Sequence, residues 1–281
     1  METVDKFRAL ERYLAELLQE DVAVAFSGGV DSALLLHLCR DAARLHGTRV
    51  HAFVVHSDMH PVRDVEAARK LAGEAGVELT VLNVDELEEA GIRNNPPDRC
   101  YRCKRTLFGK IKREAAARGI SNVLEGTQED DLHVYRPGIR ALQELSILSP
   151  LARFRITKEE VREWAAKKGV SVARRPSSPC MATRFPYGTE LTYEKMRTVD
   201  AAEAWLRAQG LSQVRLRVHG DIARLETGVG DFGRILEIRP SAVDKLKGMG
   251  FPYVTLDLEG FRSGSMDIHL IKEGRTDDAY V

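Results

Sequence analysis

An apolar run at 22–26, Val-Ala-Val-Ala-Phe, passes without a spacer into Ser27-Gly28-Gly29-Val30-Asp31-Ser32 and then into a helical pattern at 32–45. A strand that becomes a helix through two adjacent glycines is the opening unit of a sheet whose helices lie on its faces. Further β-branched runs occur at 50–55, 79–84 and 122–125, with helical patterns at 62–75 and 104–118 between them and one at 5–19 in front. This alternation predicts an α/β fold, a doubly wound parallel sheet with right-handed crossovers. Thr157 followed three residues later by Glu160 is a helix-start signature, and Gly169 is its stop, so the first domain closes at 1–173. Residues 174–189 hold three prolines and no periodicity, which predicts a linker carrying Cys180. A helix at 192–209, a hairpin of 213–218 with 222–226, a helix at 241–247 and a strand at 253–258 predict a smaller α+β domain over 190–271, followed by a flexible tail at 272–281.

Lys plus Arg and Asp plus Glu both number 42, so the net charge is zero, which argues against a surface that grips long nucleic acid by charge. Locally the balance shifts. Residues 93–118 carry nine Arg or Lys against Asp98 and Glu114, and 153–184 carry nine against Glu159, Glu160 and Glu163. Solvated helix faces explain such stretches, and so does a small polyanionic substrate. The first 26 residues mix acids with apolar residues, so neither a signal peptide nor a membrane anchor is expected, and a cytoplasmic location is.

The loop at 27–32 reads as an anion site. Adjacent glycines let backbone approach a ligand, the first amides of the helix have no intrahelical partner, and the helix dipole favours phosphate oxygens. Ser27 and Ser32 add hydroxyls. No Lys follows the glycines, so this is not a Walker loop. An acid in a phosphate cradle repels the ligand unless it holds Mg²⁺ or a donor, which gives Asp31 an organising role. The motif resembles the PP-loop of ATP pyrophosphatases, and the stretch Glu125-Gly126-Thr127-Gln128-Glu129-Asp130-Asp131 resembles that superfamily's second segment at the carboxyl edge of the sheet. The resemblance implies ATP and Mg²⁺ held by Ser27, Gly28, Gly29, Asp31, Ser32, Gly126, Thr127, Asp130 and Asp131, although Asp130 and Asp131 also read as helix caps. His56, Ser57 and Asp58 belong to the same edge and are expected near the nucleoside.

Four cysteines do not make a disulfide framework in such a chain. Cys39 lies on an apolar helix stripe and is expected to pack in the core. Cys100 and Cys103 stand one helical turn apart after the polar approach Asn94-Asn95-Pro96-Pro97-Asp98-Arg99, which reads as a surface loop, and the nearest downstream histidine, His133, is thirty residues beyond Cys103. If Cys180 meets them in space, three thiolates suit a 4Fe-4S cluster with one open iron better than structural zinc. Arg174, Arg175 and Arg184 near Cys180 favour its thiolate.

The loop at 27–32, the Cys100-Tyr101-Arg102-Cys103-Lys104 segment, Tyr135-Arg136-Pro137-Gly138 with Glu144, Ser149-Pro150-Leu151, the stretch 177–188 around Cys180, Arg217-Val218-His219-Gly220 and Gly260-Phe261-Arg262-Ser263-Gly264 together resemble the LarE family of ATP-dependent sulfur transferases. The resemblance implies maturation of the nickel-pincer nucleotide of lactate racemase, with carboxylates of a pyridinium mononucleotide becoming thiocarboxylates. It implies a small nucleotide substrate, no nucleic acid, a homo-oligomer and a sulfide donor or cluster-assembly partner. With three cysteines the chain is similar to those members taken to carry a 4Fe-4S cluster on Cys100, Cys103 and Cys180, whereas members with one cysteine sacrifice the sulfur of the residue matching Cys180. Arg184, Arg215 and Arg217 are candidates for the substrate's anionic groups and Arg262 a weaker one; exposed strand charges are the other reading of Arg215 and Arg217. Glu203 and Glu226 are conceivable metal residues at a subunit contact. A tRNA thiolase and a non-catalytic sensor of ATP or iron-sulfur state are the alternatives in other classes.

Overall fold

The computed structural model describes residues 3–60, 62–134, 136–173, 179–262 and 264–267. The chain divides into two compact units, one comprising Met1–Ala90 with Asp98–Ser178 and the other Gly91–Pro97 with Pro179–Val281. The expected tail at 272–281, Arg174 and Arg175 lie outside the described residues.

The first unit runs α1 (Thr3–Leu17), β1 (Val22–Ala25), α2 (Val30–His46), β2 (Val50–His56), α3 (Val62–Ala75), β3 (Glu78–Asn83), α4 (Glu86–Glu89), α5 (Arg99–Ala116), β4 (Asn122–Leu124), α6 (Gly138–Glu144), α7 (Pro150–Arg153) and α8 (Lys158–Lys167). Its four strands form a parallel sheet in the order β3-β2-β1-β4. Val22, Ala23 and Val24 are fully buried, as a central strand covered on both faces requires. Chain order reverses between β1 and β4, so the carboxyl ends of these two strands form the crevice where such sheets bind ligands. The doubly wound parallel sheet expected from the alternation is the one observed.

Thr157 and Glu160 form the expected capping box of α8, and Glu160 also accepts from Thr3 Oγ1 at 2.8 Å and Lys6 Nζ at 3.0 Å. The carboxylate that starts α8 therefore also ties α1 to it, beside a stacked Phe7–Trp164 pair with centroids 3.9 Å apart. Helix α5 begins at Arg99, not at 104, because Pro96 and Pro97 block helix upstream and Asp98 can start it, so Cys100 and Cys103 lie within its first turns.

The second unit contains α9 (Tyr193–Ala208), β5 (Val214–His219), β6 (Ile222–Thr227), α10 (Phe232–Glu237), α11 (Arg239–Gly248) and β7 (Tyr253–Leu256). Its sheet has the order β5-β6-β7, with the expected hairpin antiparallel and the third strand parallel to β6, and α10 is a short helix not foreseen. The segment Gly91–Pro97 joins this unit although it precedes α5. Asn95 is fully buried rather than exposed, has φ 46°, and donates through Nδ2 to the carbonyls of Phe185 and Pro186 at 3.1 and 2.7 Å.

Replacing Phe7 by Ala removes a fully buried, stacked ring and should cost about 3–5 kcal/mol, read as a lowered urea midpoint with an unchanged slope.

Candidate active site

Gly28 takes φ +72° at the end of β1 and packs on the Ala68 backbone, with 3.4 Å between that backbone and the position of a Cβ; Gly29 then caps α2. Ser32 Oγ lies 3.2 Å from Ser27 Oγ and donates to the Gly29 carbonyl at 3.1 Å, so the two hydroxyls hold the loop's shape. The segment after β4 closes on this loop. A Cβ on Gly126 would stand 2.9 Å from Ser32 N and 3.1 Å from the Asp31 carbonyl carbon, a contact open to glycine alone. Glu125 is buried beneath it and accepts from Thr127 N at 2.9 Å, Thr127 Oγ1 at 2.8 Å and Ser149 Oγ at 2.5 Å, which rigidifies the turn.

Sequence reasoning missed Lys158. The first residue of α8, it donates its Nζ to Asp31 Oδ2 at 2.5 Å while its backbone N donates to Asp130 Oδ2 at 2.6 Å. A distant helix start thus supplies the cation that the loop's own sequence lacks, and only the local signature of the helix start was legible. Asp31 Oδ1 is buried without a hydrogen-bond partner among the described residues. An orphaned carboxylate oxygen beside a phosphate cradle fits a Mg²⁺ ion. Asp131 accepts from Gln128 N in a capping box and pairs with Arg136 at 2.8 Å; the N-cap itself is Gln128 rather than either acid, and the Asp130 carboxylate is spent on the first amide of α8.

Ser57 is buried rather than open to solvent, donates to Glu86 Oε1 at 2.5 Å and accepts from Met59 N; His60 lies 3.6 Å from the same carboxylate, whereas Asp58 is exposed. The second oxygen of Glu86 accepts from the Cys103 thiol at 2.7 Å. Cys100 is exposed, with Arg99 Nη2 4.0 Å from its sulfur. Helix α6 rests on this turn of α5: a Cβ on Gly138 would meet Lys104 Cδ at 2.6 Å, and Tyr101 donates to Glu144 at 2.7 Å beneath the Arg140 guanidinium. Distant motifs 100–104, 136–138 and Glu144 are thereby brought together. Cys39 is fully buried and burial pushes its thiol up, as its helix stripe implied. Among the described residues no three of His, Cys, Asp and Glu are gathered so as to hold a metal ion.

In the second unit Cys180 begins a 3₁₀ turn, Met181–Arg184, and its carbonyl accepts from Thr183 Oγ1 at 2.8 Å and Arg184 Nη1 at 3.2 Å. Arg184 is 3% exposed, forms a two-bond pair with Glu203 at 2.9 and 3.0 Å, and also holds the Pro179 carbonyl at 3.0 Å. Arg217 is 5% exposed, pairs twice with Glu226 and donates to the Thr183 carbonyl at 2.9 Å. Both arginines thus hold the Cys180 turn by its carbonyls. Arg215 differs from them. It lies over the Phe261 ring at 5.4 Å, donates to the Val214 carbonyl and forms no close ion pair among the described residues, although Glu203 acts on it at longer range; burial and then the nearby Arg184 lower its pKa to about 10. A half-buried guanidinium in no close ion pair has donors to spare for an anion. Glu203 and Glu226 have arginine and other donors on their oxygens, which is the structural role they fill here.

The PP-loop domain family matches residues 3–133. A protein of Lactiplantibacillus plantarum, named pyridinium-3,5-bisthiocarboxylic acid mononucleotide synthase, is 38% identical over 251 residues, 89% of this chain and 90% of its own length. The chain belongs to the LarE family of ATP-dependent sulfur transferases. An uncharacterized Synechocystis relative is 35% identical over 269 residues, 95% of this chain and 98% of its own. A tRNA-specific 2-thiouridylase of Heliobacterium modesticaldum is 29% identical over 201 residues, 57% of this chain and 51% of its own length. Family membership agrees with the loop and with the segment packed on it. No helix among the described residues is long and apolar enough to cross a membrane.

Two measurements check this geometry. Gly126→Ala should weaken ATP binding at least tenfold, about 1.4 kcal/mol, in a titration calorimeter, with the far-ultraviolet spectrum unchanged. Burial would raise the Glu203 carboxyl, but the Arg184 bonds and charge and the Leu216 amide outweigh it and hold the group below its usual 4.5. Its contribution to stability is therefore complete above that value and lost as pH falls through the lower folded value. Glu203→Gln should flatten the fall of the urea midpoint below pH 4.5.

Proposed function

We propose that this chain adenylates a carboxylate of a pyridinium mononucleotide and replaces the adenylate oxygen with sulfur, giving a thiocarboxylate, AMP and pyrophosphate. The observation that carries the reading is the closure of Gly126 on loop 27–32, with Lys158 and the unpartnered Asp31 oxygen at its mouth. A carboxylate is a poor electrophile because sulfur attack would expel oxide. Transfer of AMP supplies a leaving group, and the amides at the start of α2 receive the departing pyrophosphate. Asp31 would hold Mg²⁺, which neutralises charge on the phosphates when bound. Lys158, held at the mouth of the loop by Asp31, would turn its ammonium to the pyrophosphate. Ser27, Ser32 and Thr127 shape the cradle, and Asp130 fixes Lys158 by holding its backbone.

Arg215 would receive an anionic group of the acceptor, supported by its having no carboxylate at ion-pair distance among the described residues. Arg184 and Arg217 would act through the Cys180 turn that they hold. Cys100, Cys103 and Cys180 would carry a 4Fe-4S cluster: the donor set is three sulfurs that are at least partly accessible, with Cys39 set apart in the core. When bound, such a cluster offers an open iron for an added sulfide. A cytoplasmic, homo-oligomeric protein served by a sulfide donor is the corresponding cellular setting. The 2-thiouridylase match favours tRNA as the alternative acceptor, and zero net charge weighs against it.

Incubation with ATP, Mg²⁺ and the biscarboxylated mononucleotide should yield AMP, pyrophosphate and thiocarboxylate. ADP as the nucleotide product, or turnover of tRNA alone, would overturn the reading. Arg215→Ala should raise KM for the acceptor about tenfold, roughly one charge-assisted bond, with KM for ATP unchanged, whereas Lys158→Ala should chiefly lower kcat.

A further inference from the structure

The motif at 260–264 has no part in the chemistry above, and the carboxylates nearest to Arg215 are engaged elsewhere. The antiparallel register sets Arg215 opposite Glu226, the position from which a cross-strand acid would ordinarily pair with it. Both oxygens of Glu226 are taken by other groups. Oε2 accepts from Arg217 Nε at 3.0 Å, while Oε1 accepts from Ser265 Oγ at 2.7 Å and lies 3.1 Å from Arg224 Nη2. Glu203, the other acid that acts on Arg215, accepts two bonds from Arg184 and one from the Leu216 amide. What Arg215 meets instead is a ring. Its guanidinium carbon lies 5.4 Å from the centre of Phe261, within the distance at which a cation is attracted to an aromatic face.

Local backbone geometry puts the ring there. After β7 the chain turns, with Gly260 N donating to the Asp257 carbonyl at 3.1 Å. Gly260 is buried at φ +71°, and a Cβ on it would stand 2.9 Å from the Thr227 carbonyl, so only glycine brings the chain this close to the end of β6. Phe261 N then donates to that same carbonyl at 2.8 Å. Thr227 stands opposite Val214 in the register, and its hydroxyl donates to the Gln213 carbonyl at 2.9 Å. Phe261 is therefore tied to the end of β6 that lies beside the start of β5, where Arg215 is the second residue.

The kind of contact decides what the guanidinium can do. A close carboxylate would occupy its N–H groups and cancel its charge, as Glu203 and Glu226 do for Arg184 and Arg217. A ring attracts the charge without cancelling it and, apart from the bond to the Val214 carbonyl, leaves the N–H donors for an anion. Arg184, Arg217 and Arg207 act on Arg215 as like charges, so a contact that keeps this long side chain in place has repulsion to overcome. A guanidinium already held loses less rotamer freedom when its ligand arrives.

We propose that Phe261 is a positioning residue: its ring holds the Arg215 guanidinium in place, charged and with donors open to an anion. Resting on the function proposed above, the benefit falls on binding of the acceptor and not on the chemical step. Two experiments on the whole protein test this. In the first, without ATP or acceptor, the protein is treated with phenylglyoxal, which adds to guanidinium groups, and peptide mass mapping follows each arginine. Phe261→Leu and Phe261→Met, which keep bulk and lose the aromatic face, should raise the labelling rate of Arg215 about fivefold, the scale of one such contact. Phe261→Tyr should keep the wild-type rate, and Arg217, locked to Glu226, should label alike in all variants, which also reports that the sheet is folded. In the second, Phe261→Leu should raise KM for the biscarboxylated mononucleotide about fivefold, with kcat and KM for ATP unchanged. It should add nothing in an Arg215→Ala background, because the ring acts only through that guanidinium. Wild-type labelling of Arg215 in the Leu and Met variants, labelling in Phe261→Tyr as fast as in Phe261→Leu, or a KM effect that persists in the Arg215→Ala background would overturn the proposal. A wild-type protein that forms no thiocarboxylate would count against the enzymatic reading, while the labelling, which requires no turnover, still decides whether Phe261 holds Arg215.

Discussion

Strand β1 pairs with β2 on one side and β4 on the other, and the chain leaves it for those neighbours by routes of opposite sense. The loops after β1 and β4 are consequently forced against each other, with no helix between them. The contact at Gly126, where a side chain would strike the amide of Ser32, is the tightest expression of that constraint. Everything at the nucleotide edge follows from it: the buried Glu125 that stiffens the second loop, the oxygen of Asp31 left without a donor, and the reach of Lys158 across from α8. An isolated glycine-rich loop would offer amides without a fixed direction. Packed on a neighbouring turn, its donors are preorganised, which is the main means by which a site stabilises charge that develops during reaction.

The second unit uses a different device. Arg184 with Glu203 and Arg217 with Glu226 are ion pairs almost without solvent contact, and such pairs contribute little net stability because desolvation offsets their attraction. Their value lies in geometry. Removing one member would strand a buried charge at a cost of about 3–5 kcal/mol, so the guanidiniums are confined, and each has donors left for carbonyls of 179–183. The turn that starts at Cys180 has few apolar anchors beyond Met181, Ala182 and Phe185, and the arginines hold it where packing alone would leave it loose.

The four thiols show how environment sorts one residue type into different chemistries. Cys39 is sealed in an apolar core, where ionisation is suppressed. Cys103 donates to a buried carboxylate, Cys100 sits near a guanidinium, and Cys180 lies on a turn held by arginines. The carboxylate on Cys103 also accepts from Ser57 at the end of β2, so one buried acid spans from the sheet edge to the cysteine helix.

Much was legible from order and type of residue. Alternating runs dictated the parallel sheet, because strands buried on both faces must be apolar throughout, and the strand-glycine-glycine-helix step dictated an anion site wherever the chain might pack. The capping box of α8, the core position of Cys39 and the hairpin of the small sheet were equally local matters of spacing. What lay beyond one-dimensional reading was every property that depends on a partner distant in the chain. Lys158 reads as an ordinary first residue of a helix until the fold puts Asp31, 127 positions earlier, at its tip. Asn95 reads as loop until carbonyls 90 and 91 residues away accept from it. Arg184, Arg215 and Arg217 are alike as sequence, three cations near a cysteine or on a strand. Only Glu203 and Glu226, delivered by another helix and another strand, put two of them in close ion pairs and leave the third outside one, since a charge takes its role from its nearest counterion and the counterion is chosen by tertiary packing.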